Sequence, residues 1–396
     1  MPEAYGNGYC RSAPSGFRLV RQLTERWLIG RGDFQSRATV RPVRVLVNAL
    51  PVRGTSLEVV TQNLLAAWEE SDDVHVVLRP GVEMEVPERM TVHGVGGQRL
   101  LAMERAVPEL CRRLEADAVL GVTPATTIRR LPCPRVIISH DVRHEMRPHQ
   151  FTYRARLLRA VSYGLSYRRA DAIVTVSHRT REDLLRFHPW LRRQTIVVAQ
   201  NGADHVLSWP RAELPGDEYA LAFGQWGNKN VGLVLEAWAR LRLEGSDPPR
   251  LVIIGLPEAK RVAVQSDVAA LGLAGLVTVK PWLDPGEFRL QFTGASLVVF
   301  PSDYEGFGLP AIEAMRLGIP VVVTPDPALY EVTGGLATVM DGWDAASLAR
   351  AVPVARSLKG EDLERGIAHA SEFTWARMAG QVRATLARCI DAAGKN

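Results

Sequence analysis

Glu305 and Glu313 bracket the run Gly306-Phe-Gly-Leu-Pro310, the stretch whose residue types and spacing best fit chemistry. Gly306 and Gly308 let a bound group approach the main chain and permit positive φ. Pro310 suits the first turn of a helix that stops at Gly318, so the amides of Phe307, Gly308 and Leu309 are expected to point outward from its start. Unpaired N–H groups there, together with the helix dipole, favour an anion. A bare carboxylate would repel that anion, so Glu305 and Glu313 fit better as acceptors for hydroxyls on either side of it. A molecule with phosphates in the middle and hydroxyls at both ends is a nucleotide sugar. The plainer alternative is a structural strand–helix turn carrying two solvated glutamates.

The elements that must hold this loop are legible on both sides. Leu297-Val-Val-Phe300 precedes it and Pro320-Val-Val-Val-Thr324 follows it, each an apolar run of buried-strand type. The loop therefore sits at the carboxyl end of a strand in a strand–helix–strand crossover, where ligands bind in open α/β sheets. A loop of the same kind, Gln225-Trp-Gly-Asn-Lys-Asn230, follows the strand Tyr219-Ala-Leu-Ala-Phe-Gly224. There Lys229 stands just ahead of a helix with Val234, Leu235, Trp238 and Leu241 on one face, and can set its ammonium on a phosphate. In the first half, the strand Val43-Arg-Val-Leu-Val-Asn48 runs into a loop with Gly54, and Thr55 or Ser56 caps the helix after it. The strand Pro134-Arg-Val-Ile-Ile-Ser139 ends on His140-Asp141, on the cleft edge of a parallel sheet. A lone imidazole is often structural, but this position favours a role in the site.

Glu305-x7-Glu313, with Gly-Phe-Gly-Leu-Pro inside it, resembles the E-x7-E signature of retaining glycosyltransferases of family 4, which have the GT-B fold. Weaker landmarks follow in matching order: His140-Asp141, Asp171-Ala-Ile-Val-Thr-Val-Ser177, Asn201-Gly-Ala-Asp204, the 225–230 loop, and Ser371-Glu-Phe-Thr-Trp375 leading into a last helix. The resemblance covers roughly residues 43–390. It implies an α/β chain of two Rossmann-like doubly wound domains facing a central cleft, with the last helix crossing back to the first domain. The expected boundaries are an extension over 1–40, an acceptor-binding domain over 41–207, a linker over 208–218, a donor-binding domain over 219–370 and the returning helix over 371–396.

The resemblance also implies roles. Gly224, Gln225, Asn228, Lys229 and Asn230, with the Gly306–Leu309 amides, would hold a donor diphosphate; Glu313 would accept from the ribose and Glu305 from the transferred sugar. Gly54 and Thr55 would face the diphosphate from the other domain, and His140 would reach the donor sugar and acceptor. Trp282 and Leu283 would lie along the nucleobase, unless Trp282 is core. Glu305, His140 and Lys229 are the expected catalytic residues, with front-face attack and no obligatory protein nucleophile. The family usually carries an arginine beside the lysine. Here Gln225 or Asn228 stands in its place, which leaves more of the diphosphate charge to the Gly306–Leu309 amides. The implied reaction moves a hexose-type sugar, mannose-like or rhamnose-like, to a hydroxyl of a lipid-linked, saccharide or natural-product acceptor. It needs no metal and no cofactor beyond the donor. A donor-binding subunit with little activity, or a phosphorylase or epimerase on the same scaffold, are the alternatives.

Composition is compatible with this reading. The chain has 396 residues, 46% apolar and 23% charged, room for two α/β cores. No apolar run reaches the ~18 residues of a membrane span, and no leader pattern is visible, so a cytoplasmic protein is expected. Cys10, Cys111, Cys133 and Cys389 lie far apart in sequence without a CxxC, which reads as reduced structural thiols and not as metal ligands. The net charge of +5 divides into +10 over residues 1–200 and −5 over 201–396. A basic front half suits a phosphate-bearing acceptor or an anionic membrane surface, or reflects arginines in ordinary solvent. No nucleic-acid-binding motif is present, so nucleic acid is not an expected partner. Residues 143–170 read as one arginine-studded amphipathic helix, with Phe151, Tyr153, Leu157, Leu158, Val161 and Leu165 as its apolar positions. It either packs on the domain or lies on an anionic surface. Within the extension, residues 19–29 have the pattern of a short helix.

Overall fold

A computed structural model describes residues 41–395 apart from Thr55, Glu83, residues 213–217 and Trp226. The expected helix over 19–29, the contribution of Thr55 and part of the linker lie outside the described residues. Continuous Val, Ile and Leu runs make strands buried on both faces, which a sheet tolerates when helices cover both sides. Seven such strands form a first, wholly parallel sheet: β1 (Arg44–Asn48), β2 (Asp73–Leu78), β3 (Thr91–Gly94), β4 (Ala118–Gly121), β5 (Arg135–Ser139), β6 (Ala172–Thr175) and β7 (Thr195–Val198). Six more form a second: β8 (Tyr219–Phe223), β9 (Arg250–Ile254), β10 (Val277–Val279), β11 (Leu297–Phe300), β12 (Val321–Val323) and β13 (Thr338–Val339).

The orders are β3-β2-β1-β4-β5-β6-β7 and β10-β9-β8-β11-β12-β13. Each sheet grows one way from its first strand and then reverses, so the switch points fall between β1 and β4 and between β8 and β11. Crevices open at the carboxyl ends of these strand pairs. The first crevice is rimmed by the loops after Asn48 and Gly121, the second by the loops after Phe223 and Phe300. Three of these four loops, those after Asn48, Phe223 and Phe300, carry residues whose types point to the site. β3 has no such signal, because Thr-Val-His-Gly is a short, half-polar edge strand with no alternation to read.

The last helix, Trp375–Ala393, crosses back and packs on β4, β5, β6 and the helix Ser56–Ala66 of the first sheet. Trp375, Met378, Val382 and Leu386 are buried there in a core continuous with Val45, Val47 and Leu120. Arg383 fixes the crossing by donating to both oxygens of Asp72, at 2.7 and 2.8 Å. The Asp72 side chain is wholly buried and also accepts from the Trp68 indole and the Val43 amide.

One expectation is corrected. Residues 143–170 do not form a single helix. A short helix, Arg143–Met146, and a 3-10 turn, Pro148–Gln150, precede the helix Tyr153–Arg169. Pro148 bars a helical conformation at Arg147, whose φ is −129°, and Thr152 starts the helix anew by capping the Ala155 amide. The apolar positions do not make a packed face either: Tyr153, Leu157, Leu158 and Val161 are all more than half exposed, while Gly164, Ser166 and Tyr167 do the packing.

Candidate functional site

The loop after β11 and the loop after β8 meet at the second switch point. Lys229 Nζ lies 2.6 Å from Glu305 Oε1 and 4.0 Å from the centroid of the Phe300 ring. The same Oε1 accepts from Ser302 Oγ at 2.6 Å and from Asn228 Nδ2 at 3.2 Å. Burial pushes the Lys229 ammonium's pKa down, and the adjacent Glu305 carboxylate opposes that shift. Asn228 is tied further to Ser302 and to the Tyr304 carbonyl, so it braces the loop bearing Glu305. Asn230 takes the left-handed conformation at φ 52° that ends this loop, and its amide reaches the Pro301 carbonyl at 2.8 Å.

The helix Leu309–Arg316 begins on Gly308, whose φ of 94° suits glycine and which has no side chain to cap the first turn. Among the described residues, no acceptor is found for the amides of Phe307, Gly308 and Leu309. Glu313, one turn along, is buried and lies 3.2 Å from His205 Nε2. The indole of Trp375 donates to His205 Nδ1 at 3.0 Å, and the ring's Nε2 lies near Glu313 without a hydrogen bond to it. The start of the returning helix is therefore tied to the imidazole that stands beside one of the two signature carboxylates.

The first sheet supplies the opposite wall. His140 follows β5, and its Nε2 lies 2.8 Å from the Val122 carbonyl. That carbonyl requires a proton on Nε2, and burial holds the imidazole pKa below its ordinary value, so Nδ1 is a bare acceptor. His140 meets the signature loop directly: a Cβ built on Gly306 would overlap the His140 carbonyl oxygen. The Gly306 carbonyl accepts from the hydroxyls of Ser177 and Thr180. Around this contact Arg147 donates to the Asp303 carbonyl at 2.7 Å, and the Tyr304 hydroxyl donates to Asp183 at 3.2 Å. Glu331 accepts from the amides of His178 and Arg179 at 2.8 and 2.9 Å, at the amino end of the helix His178–Phe187.

The structure thus gathers Asn228, Lys229, Asn230, Glu305, Gly306, Phe307, Gly308, Leu309 and His140 in one place. Gly224 and Gln225 lie at the end of β8 on the same rim, with Gly224 against Leu256 and Gln225 against Gly255. Trp282 is not a core residue: it is 55% exposed, with the partly buried Leu283 beside it. Gly54 is exposed in the loop after β1 with φ 58°. Several cross-sheet partners went unread. Tyr304 stands directly ahead of the Glu305-x7-Glu313 motif, but its partner Asp183 is more than a hundred residues away, and Glu331 sits on a helix with no signature of its own. Cys111 and Cys133 also come together, Sγ to Sγ at 3.0 Å, although nothing in their spacing suggests it. Among the described residues no cluster of three or more metal-ligating side chains occurs.

Residues 42–207 match the profile of glycosyltransferase family 4, and residues 211–372 match that of the glycosyl transferases group 1. The chain belongs to the family 4, group 1 glycosyltransferases. It is 28% identical over 52% of its length to an O-antigen chain mannosyltransferase B of Escherichia coli, and 33% identical over 42% to an MMP α-(1→4)-mannosyltransferase of Mycolicibacterium hassiacum. These matches span 58% and 40% of the relatives' own lengths. An Anabaena protein (HepE) crystallised with UDP and glucose has the same fold, with a TM-score of 0.66 at 16% identity over 87% of this chain and 100% of that one. The two facing Rossmann-like sheets and the returning helix are those of a GT-B glycosyltransferase. No helix among the described residues is long and apolar enough to cross a membrane.

Proposed function

We propose that this glycosyltransferase moves a hexose-type sugar, mannose-like in the first instance, from a nucleotide-diphosphate donor to a hydroxyl acceptor, with retention at the anomeric carbon. The acceptor would be a saccharide or lipid-linked intermediate of a cell-envelope polymer, or a natural-product aglycone. The observation that carries this reading is the pair of buried Lys229 and half-buried Glu305 at the second switch point, beside the uncapped start of the helix Leu309–Arg316 and against His140. Fixed dipoles and a cation already in place cost no reorganisation when charge builds up on a leaving group. In this reading a diphosphate takes over the ammonium and the Phe307–Leu309 amides. Glu305, released from Lys229 but still held by Ser302 and Asn228, accepts from hydroxyls of the transferred sugar. The bare Nδ1 of His140 accepts from the sugar or acceptor hydroxyl, and Glu313, beside His205, takes the ribose. The mannosyltransferase names of both relatives favour the mannose-like donor.

A panel of nucleotide sugars screened by thermal shift identifies the donor, since a ligand at about 100 times its dissociation constant adds about 2.7 kcal/mol. With that donor, Glu305→Ala and Lys229→Ala should each lower transfer or donor hydrolysis by roughly 10²-fold or more. Wild-type turnover in both variants removes the site. Conversion of the donor to another sugar nucleotide without acceptor would favour epimerase chemistry instead.

A further inference from the structure

One short segment of the first half is seated on the loop after β11. Val142, buried in one core with Ile137 and Tyr167, precedes the helix Arg143–Met146 and donates its amide to the Tyr304 hydroxyl at 3.4 Å. Arg147, at the end of that helix, donates to the Asp303 carbonyl at 2.7 Å and sets its Nε 3.7 Å from the Asp303 carboxylate. Gln150 reaches the same carboxylate at 3.4 Å. Asp303 in turn donates its amide to the Asn228 carbonyl at 3.1 Å. The segment 142–150 is thus fixed on the loop after β11 and, through it, on the loop of Lys229.

This seating brings Arg143 to the donor loop. Its Nη1 lies 3.4 Å from Asn228 Oδ1, and Asn228 Nδ2 lies 3.2 Å from Glu305 Oε1, the oxygen that also meets Lys229 Nζ at 2.6 Å. The half-buried guanidinium stands over the Phe151 ring, 5.4 Å from its centroid, which holds its direction. Burial chiefly pushes the Lys229 ammonium's pKa down, Glu305 opposes that shift, and the like charge of Arg143 adds to it from across the cleft. Gathering two cations at one loop costs stability until an anion joins them. The 3.4 Å contact of Arg143 with a neutral amide oxygen is long, so a phosphate oxygen can replace it with a shorter, charge-assisted bond. The loop Gly224–Asn230 itself contains no arginine.

We propose that Arg143 is the second cation of the donor site, supplied by the first half, and that with Lys229 it holds the β-phosphate of a nucleoside diphosphate. The two ends of the site decide which phosphate it takes. In the reading above Glu305 marks the transferred sugar and Glu313 the ribose, and Arg143 is joined through Asn228 to the Glu305 end. A planar guanidinium can give one phosphate two parallel bonds, which an ammonium cannot. A diphosphate then touches both halves at once, whereas a monophosphate leaves Arg143 on Asn228. The proposal rests on the donor reading of this cleft, and its test separates the two.

The test is calorimetric titration of the full chain with ADP and AMP, GDP and GMP, and UDP and UMP, followed by titration of the variants with the pair that binds. Arg143→Gln should weaken the diphosphate roughly 10- to 100-fold, the range for a lost hydrogen bond to a charged group, and leave the monophosphate within about twofold. Arg143→Lys keeps the charge without the fork and should lose roughly 3- to 10-fold for the diphosphate alone. Equal losses of diphosphate and monophosphate in both variants overturn the proposal and make Arg143 a structural brace. Wild-type diphosphate affinity in Arg143→Gln, with loss of it in Lys229→Ala, also overturns the proposal but leaves the donor site standing. Failure of every diphosphate to bind the wild-type chain removes the donor reading and this proposal with it.

Discussion

At Gly306 one hydrogen atom in place of a methyl group decides whether the two halves can meet. The amide backbone there lies against the His140 carbonyl and its own carbonyl is clasped by Ser177 and Thr180, so a Cβ has nowhere to go and the neighbour is main chain. Gly306→Ala should therefore cost about 1–3 kcal/mol by denaturant unfolding and slow transfer by at least tenfold. Gly227→Ala, which meets open space, should leave stability within about 0.5 kcal/mol. Equal effects of the two substitutions would show that the approach of the sheets at this point does not matter. The sequence made Gly306 visible as a place where a phosphate approaches the backbone. That the backbone approaching it is a strand end of the other sheet could not be read, because closeness between positions far apart in the chain leaves no local pattern.

Among the elements, the helix Pro327–Thr333 has the clearest electrostatic consequence. Its Glu331 sits at the amino end of the helix His178–Phe187 in the other half, and burial raises its pKa to about 7 despite the two amides it accepts from. Asp326, which caps the same helix, is raised to about 7 for the same reason. The folded protein therefore holds protons that the unfolded chain has released between roughly pH 4.5 and pH 7, so these groups make stability fall as pH rises through that window. Glu331→Gln should flatten the fall in thermal stability between about pH 5 and about pH 8, by roughly 1–3 kcal/mol. An unchanged slope would mean that Glu331 does not carry it. At this scale the strands were legible because Val-Ile-Ile and Leu-Val-Val-Phe are buried on both faces and flanked by punctuating loops. The region 143–170 misled because spacing at 3.6 residues says which side chains share a face, not whether anything covers that face. Pro148 was the available sign that the stretch would break.

For the molecule as a whole, the joint between first and last segments is the Arg383–Asp72 pair. Asp72 has no solvent to fall back on, so Arg383→Met should destabilise the chain by roughly 2–4 kcal/mol, and Asp72→Asn combined with Arg383→Met by less than Arg383→Met alone. Chemical denaturation measures both, and additive effects would deny the coupling. The same joint bears on how the chain is made. The face of the first sheet that covers Val45, Val47 and Leu120 is closed by Trp375, Met378, Val382 and Leu386, residues synthesised only after the whole second sheet. At about 5–20 residues per second, a ribosome that has finished β7 needs roughly 10 to 40 s more to deliver that helix. For that interval the nascent first half carries an open apolar flank, so the protein's yield in a cell should depend on chaperones that hold unfinished chains and on translation speed across the second half.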